Sequence, residues 1–210
     1  LADLFPINEN VLDDPRVEPI VMDGRAWLRR TDRLYDVITL EPMPPNFAGV
    51  NALYSREFYE TLAERLRPGG IATQWLPIHM LSPHHAASIA KTFQSVFPDA
   101  LLWYDPVGST GILVGRTTSD GLPLGREWPG LDRIGIRRDL GDAQIRRSVW
   151  LRSEALSRYG RPGQLITDDN QLLQWSTMRP RADSQHTQTQ NQANKTILKR
   201  VAGRPAFSLR

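Results

Sequence analysis

Cysteine is absent from this sequence of 210 residues. Without a thiol the chain cannot form a disulfide, use a thiolate as a nucleophile or build a zinc site that needs cysteine. Histidine is also scarce. His84 and His85 are adjacent, so they face different sides of a helix, and we expect no metal site. The composition fits the reducing environment of the cytoplasm, which is the location we expect.

Long apolar runs are missing as well. No run approaches the roughly 18 to 20 apolar residues that a membrane span needs. The first residues lack the charged and then apolar pattern of a signal peptide. Because 40% of the residues are apolar, the chain can bury one sizeable core. We therefore expect one soluble principal domain with no membrane contact from this segment.

The excess of positive charge is confined to the end of the chain. From Arg179 onward there are seven basic residues and one acidic residue, whereas residues 1–178 contain 19 basic and 22 acidic residues. A nucleic-acid interface shows its basic residues as a stripe on a folded surface, and here they lie in a polar segment. The pattern argues against a nucleic-acid partner.

That final segment is nearly devoid of apolar side chains. Residues 180–194 consist largely of Gln, Thr, Asn and Ser, so they cannot bury enough surface to offset the entropy lost on ordering. We predict a folded domain over residues 1–178 and a disordered tail over residues 179–210, with one or two helical turns at Lys195 to Val201.

Three short apolar runs organise the first part of the chain. They span Val17 to Met22, Tyr35 to Leu40 and Gly70 to Leu76, and helical patterns separate them. Strands that alternate with helices indicate a parallel sheet, which binds ligands beyond the carboxyl ends of its strands. Asp23 and Glu41 follow the first two runs. These two acids are the leading candidates for a functional pair.

The remaining elements follow from caps and periodicity. Helices are predicted to begin at Ser55 and at Ser82, each a plausible N-cap. Strands at 100–104 and 111–114 predict an antiparallel hairpin, and residues 149–159 predict a weak helix. The predicted fold class is α/β, with a mostly parallel sheet that ends in an antiparallel hairpin.

Several motifs, in order, resemble the spermidine synthase (polyamine aminopropyltransferase) family. The resemblance covers roughly residues 5–175, and the motifs that carry it are Asp14 to Val17, Asp23 to Arg25, Tyr35 to Ile38, Leu53 to Tyr59, Leu66 to Gly70, Phe93 to Pro98 and Thr167 to Asp169. The likeness is closest to bacterial spermidine-synthase-like domains that are often fused to membrane segments, because those share the Leu-Glu-Pro-Met-Pro-Pro loop.

The resemblance implies a Rossmann-like fold of the S-adenosylmethionine-dependent methyltransferase type. It also implies that an amine displaces methylthioadenosine from decarboxylated S-adenosylmethionine, without a metal. A carboxylate must take the proton of the amine before its lone pair can attack. By match to the family, Glu41 stands at the catalytic position, and Asp23 with the Gly24 backbone would bind the adenine. Gln74, Tyr104 and Asp168 would contact the substrate.

Two departures from the family concern the loop after the second run. Authentic spermidine synthases have Asp-Ser-Ser-Asp-Pro there, and this chain has Glu41 and Pro44 in place of the two Asp residues. The extra methylene of Glu moves the carboxylate by about an ångström, which can cost about a hundredfold in rate. Pro44 cannot pair with an ammonium group. An ordinary putrescine acceptor is therefore less expected than binding of the adenosyl group.

The family's glycine-rich loop and its ribose-binding acid should precede Leu1, and no Gly-x-Gly pattern occurs near the start of the sequence. We therefore interpret the chain as a fragment that lacks the N-terminal part of the domain. The longer protein could be attached to a membrane with this domain in the cytoplasm, and a homodimer is left open.

Each candidate also has a structural interpretation. Asp23 could cap a helix, Glu41 could be a solvated loop acid, and Asp168 could belong to a turn. Gln74 could satisfy backbone groups at a strand end, and Tyr104 could belong to the core.

Three classes of function remain open on the sequence. The first is an aminopropyltransferase that acts on a small amine. The second is a methyltransferase of the same fold that uses S-adenosylmethionine itself, and the third is a non-catalytic domain kept for interaction.

Overall fold

The computed structural model describes residues 11–45, 47–105, 110–118, 148–177 and 184–203. The chain divides into two compact units at Thr31, and the second unit contains the sheet. None of the helices in these ranges is both long and apolar enough to cross a bilayer. Predictions about residues 119–147 lie outside the described residues.

The first unit contains a 3-10 turn at Val11–Asp13 and helix α1 at Gly24–Arg30. The strand predicted at 17–22 is not formed, so that prediction was wrong. These residues have no regular secondary structure and are all exposed, and Val21 is 100% exposed. A strand needs a neighbour to satisfy its backbone groups. The described part of this unit offers no second strand for pairing.

The second unit is built on a five-stranded sheet in the order β1-β2-β4-β3-β5. Its strands are β1 Tyr35–Leu40, β2 Leu66–Leu76, β3 Asp99–Asp105, β4 Thr110–Arg116 and β5 Val149–Arg152. Strands β1 and β2 are parallel, and the other three pairs are antiparallel. The α/β class and the antiparallel pairing of β3 and β4 are confirmed, but this pair does not end the sheet, because β5 pairs with β3 at the edge. The sheet is mixed rather than mostly parallel, because β4 runs antiparallel to both β2 and β3, and β5 runs antiparallel to β3.

The helices begin where their caps predict. Helix α2, Arg56–Arg65, starts after Ser55, whose Oγ accepts a hydrogen bond from the Phe58 amide at 3.3 Å. Helix α3, Pro83–Val96, starts after Ser82, which accepts from the His85 amide at 3.2 Å. Residues 149–159 form β5 followed by α4, Ser153–Gly160, instead of one helix. Pairing of β5 with β3 outweighs the weak helical pattern.

One face of the sheet packs against these helices. Gly115 of β4 makes the close approach possible, since a Cβ there would lie 2.6 Å from both a ring carbon of Phe93 on α3 and the Cβ of Phe97, the residue that follows α3. Leu76, Leu102 and other core side chains of this face are fully buried. The core therefore lies between the sheet and the helical layer.

The predicted disorder of the tail does not hold for residues 184–194, whereas the helical turns predicted at Lys195 to Val201 are confirmed as part of a longer helix. Helix α5 spans Leu172–Thr177, and helix α6 spans Ser184–Ala202. Asn194 and Leu198 of α6 are fully buried. The Asn194 amide donates to the carbonyls of Ile78 and Leu81, which flank a 3-10 turn at Ile78–Met80. A few well-spaced buried residues are enough to order a helix that is otherwise polar.

Candidate functional site

Glu41 lies directly after β1, at the carboxyl end of the parallel strand pair. Its side chain is exposed, and it forms no hydrogen bond or ion pair with the residues that the structure describes. Leu40, the last residue of β1, lies opposite Gln74 of the neighbouring strand β2. A free carboxylate at this edge is placed as the strand pattern predicted, and it is available to a ligand.

The loop after Glu41 is shaped by turns. Phe47 donates its amide to the Pro44 carbonyl at 3.1 Å, and Gly49 has a positive φ of 81° that favours glycine. A 3-10 turn at Val50–Leu53 follows and leads into α2. Val50 and Asn51 are buried. The loop that begins at the candidate base is thus anchored at its far end.

The loop that carries Asp168 is tied to this anchor by four hydrogen bonds. The Asn51 side chain donates to the Thr167 carbonyl at 3.1 Å and accepts from the Leu173 amide at 3.1 Å. The Asp168 amide donates to Glu57 at 3.0 Å, and the Arg56 amide donates to the Ile166 carbonyl at 2.9 Å. The structure therefore brings the Asp168 loop together with the end of the Glu41 loop.

Asp23 lies in the first unit, where it is the N-cap of α1. Its Oδ1 accepts a hydrogen bond from the Ala26 amide at 2.7 Å, and the side chain is exposed. A Cβ added to Gly24 would meet no atom within 4 Å. The cap interpretation is therefore confirmed. It leaves Oδ2 and the space beside Gly24 for a ligand.

Gln74 and Tyr104 are both fully buried. Gln74 Oε1 accepts from the Tyr59 hydroxyl of α2 at 3.3 Å, and its amide donates to the Trp75 carbonyl at 3.0 Å. The Tyr104 ring packs edge-to-face on Trp150, with 4.6 Å between ring centroids. The structure places these two side chains on the face that packs against helices, which favours their structural interpretation over contact with substrate.

Burial controls the ionisation of the aromatic hydroxyls near this edge. Desolvation raises the pKa of Tyr54 and of Tyr59, and the nearby Tyr54 charge raises the pKa of Tyr59 further. Both phenols therefore remain protonated at neutral pH. Tyr59 is accordingly a donor to Gln74 and not a candidate base.

Sequence reasoning missed Asn51 and Glu57 as residues that organise the site. Both act on backbone groups more than 100 positions away in the sequence. Glu57 lies inside a motif of the family resemblance, which was the one available signal. For Asn51 there was none, because an Asn that follows a Pro- and Gly-rich loop is typical of a turn.

Sequence comparison finds relatives among the polyamine aminopropyltransferases and spermine synthases. Polyamine aminopropyltransferase 2 of Pseudomonas aeruginosa is 43% identical over 96 residues, which cover 45% of this chain and 28% of that protein. The polyamine aminopropyltransferase of Oceanobacillus iheyensis is 40% identical over 89 residues, 42% of this chain and 17% of that protein. Spermine synthase of Arabidopsis thaliana is 35% identical over 99 residues, 44% of this chain and 27% of that protein.

The chain thus spans less than a third of the length of each of these relatives. The sequence profile of the spermine/spermidine synthase domain matches residues 3–109. This match includes Asp23, Glu41, Asn51 and Glu57, and it covers just over half of the chain. The protein therefore belongs to the spermine/spermidine synthase family.

Proposed function

We propose that the chain contributes to transfer of an aminopropyl group from decarboxylated S-adenosylmethionine to a small amine. The observation that carries this proposal is the exposed carboxylate of Glu41 at the carboxyl end of β1, inside the matched family region. The named relatives are polyamine aminopropyltransferases, which supports the same reaction class. Polyamine biosynthesis is the corresponding process.

Glu41 acts as the base in this proposal. An ammonium group has no lone pair, so the carboxylate first accepts a proton from the acceptor amine. The amine nitrogen then attacks the carbon bound to the sulfonium, the carbon–sulfur bond breaks, and its electron pair leaves with methylthioadenosine. The transferred proton stays on Glu41 until solvent removes it. Because Glu41 is exposed, solvent can remove this proton without the help of another group from the protein.

Asp23 and Gly24 are proposed to bind the adenosyl part of the donor. The Asp23 Oδ1 atom is engaged in the cap of α1, so Oδ2 is the atom that would accept the adenine amino group. The open space beside Gly24 fits a planar ring packed on the backbone. Asp168 supplies the second negative charge for the acceptor, since Pro44 has none to offer.

The test is release of methylthioadenosine by the purified protein, with the N-terminal part of the domain included, when it is supplied with decarboxylated S-adenosylmethionine and a panel of diamines and triamines. Glu41→Gln should lower kcat/KM at least about a hundredfold, because loss of a general base typically costs 100- to 10,000-fold. Glu41→Asp should retain activity. Glu60→Gln is the matched control, since Glu60 is an exposed acid of α2 that pairs with Arg56 at 2.9 Å.

The same assay with ordinary S-adenosylmethionine separates the other functions. Methyl transfer with no aminopropyl transfer would favour the methyltransferase. Absence of binding to either donor would favour a non-catalytic domain. Full turnover by Glu41→Gln would remove Glu41 from the mechanism. The cytoplasmic location, the homodimer and attachment of a longer protein to a membrane stay predictions.

A further inference from the structure

Asn51 holds both ends of the loop that carries Asp168. The side chain is fully buried, and its amide has partners for both atoms: Nδ2 donates to the Thr167 carbonyl and Oδ1 accepts from the Leu173 amide, each at 3.1 Å. A buried amide with one donor bond and one acceptor bond to the same loop cannot rotate without losing both. We call residues 167–173 the acidic loop.

The acidic loop is rigid within itself. Asn170 Oδ1 accepts hydrogen bonds from the amides of Thr167 and Leu172, both at 3.2 Å, and its Nδ2 donates to the Leu165 carbonyl at 2.7 Å. Gln171 has a φ of 46°, a conformation that persists only where the surroundings determine it. A loop of this kind moves as one body, so its orientation depends on what holds its two ends.

Asn51 also belongs to the loop that starts at Glu41. It lies in the 3-10 turn that ends this loop, and its own carbonyl accepts from the Tyr54 amide at 3.0 Å. The residue therefore connects the segment with the candidate base to the segment with Asp168. A shift of the acidic loop by an ångström would change the separation of the two carboxylates, and displacements of that size can cost about a hundredfold in rate.

We propose that Asn51 is a positioning residue that fixes the acidic loop, and with it Asp168, relative to the Glu41 loop and thereby sets binding of the acceptor amine. The part of this inference that concerns the amine rests on the proposed function. The part that concerns the attachment of the loop does not. Asn51 is not placed in contact with substrate.

The test compares Asn51→Ala with Asn194→Ala. Asn194 is the matched control because it is also fully buried, and its side chain also makes two hydrogen bonds to backbone, but to Ile78 and Leu81. Hydrogen exchange followed by mass spectrometry should be at least about tenfold faster in residues 165–173 of Asn51→Ala, and unchanged there in Asn194→Ala. Asn51→Gln keeps both amide groups on a side chain that is one methylene longer and should give an intermediate increase, which keeps the test decisive if the alanine variant does not fold.

Kinetics supply the second readout. Asn51→Ala should raise the KM for the amine about tenfold and leave the KM for the nucleoside donor unchanged. General destabilisation of the protein would instead change both KM values alike. Equal exchange in residues 165–173 of the two alanine variants, or equal changes in both KM values, would overturn the role of Asn51. Faster exchange in Asn51→Ala together with an unmodified protein, N-terminal part of the domain included, that transfers nothing would overturn the proposed function and leave the attachment standing.

Discussion

The hydrogen bond between Tyr59 and Gln74 gives a test of whether Gln74 belongs to the core or to the site. Both side chains are fully buried, and 3.3 Å separates the hydroxyl from Gln74 Oε1. Tyr59→Phe keeps the ring contacts with Phe93 and Phe97 but removes the donor. A buried acceptor left without its partner costs about 1–3 kcal/mol. At the midpoint of about 2 kcal/mol, the melting temperature should fall by about 4–8 °C for a chain of this size.

The assay is a double-mutant cycle in urea with Tyr59→Phe, Gln74→Leu and the double variant. Each single variant leaves one buried polar group unpaired and the double variant leaves neither, so the double variant should be about 1–2 kcal/mol more stable than the sum of the single changes predicts. Additive effects would refute the pairing. A Gln74→Leu protein that keeps its stability but binds the amine more weakly would show instead that Gln74 faces the ligand.

Three further predictions concern packing, capping and pH. Gly115→Ala should destabilise the protein by about 1–3 kcal/mol, because the added Cβ would collide with the phenylalanines at the end of α3, while Gly24→Ala, with no atom within 4 Å, should be nearly neutral in thermal melts. Ser55→Ala should cost about 1 kcal/mol, and Ser55→Thr, which keeps the buried hydroxyl, should restore most of it, as measured by urea unfolding. Burial, assisted by the charge of His84, lowers the pKa of His85. As the pH falls, His85 therefore becomes protonated in the unfolded state before it does in the folded state. The free energy of unfolding should fall as the pH drops below about 6.5. His85→Gln should flatten that decline in melts between about pH 7 and 5.

The elements that the sequence predicted well are those with a local cause. Ser55 and Ser82 are N-caps because a hydroxyl reaches an amide three residues ahead, which the order of residues alone encodes. The hairpin of β3 and β4 likewise depends on two adjacent strands and the turn between them. Such features need no knowledge of distant parts of the chain.

The elements that were predicted wrongly depend on distant partners. Residues 17–22 have the composition of a strand, but a strand forms only beside another strand. The polar residues before Asn194 suggested disorder, yet α6 is ordered by contacts with the turn at Ile78–Met80. Composition measures the apolar surface available in a segment, and it does not show which neighbour will cover that surface.

The candidate site also combines features that have a local cause with features that depend on distant partners. Glu41 was placed correctly because the end of a strand is visible in the sequence. The orientation of Gln74 depends on the pleat of β2, in which alternate residues face opposite sides, and a shift of one residue reverses the assignment. The contact of Asn51 with Thr167 spans 116 positions and leaves no local pattern. The position of Glu41 at the end of a strand could therefore be predicted, whereas the contacts that fix the loops around it could not.

The contrast between the exposed Glu41 and the buried Asn51 determines how a change at Glu41 should be interpreted. The Glu41 side chain is exposed and makes no bond with the described residues, so a change there removes no packing contact. Substitutions of this kind usually change stability by less than about 0.5 kcal/mol. Glu41→Gln should accordingly melt within about 2 °C of the unmodified chain. Any loss of transfer in that variant would then reflect the missing base, whereas Asn51→Ala would reduce both stability and amine binding because Asn51 is buried.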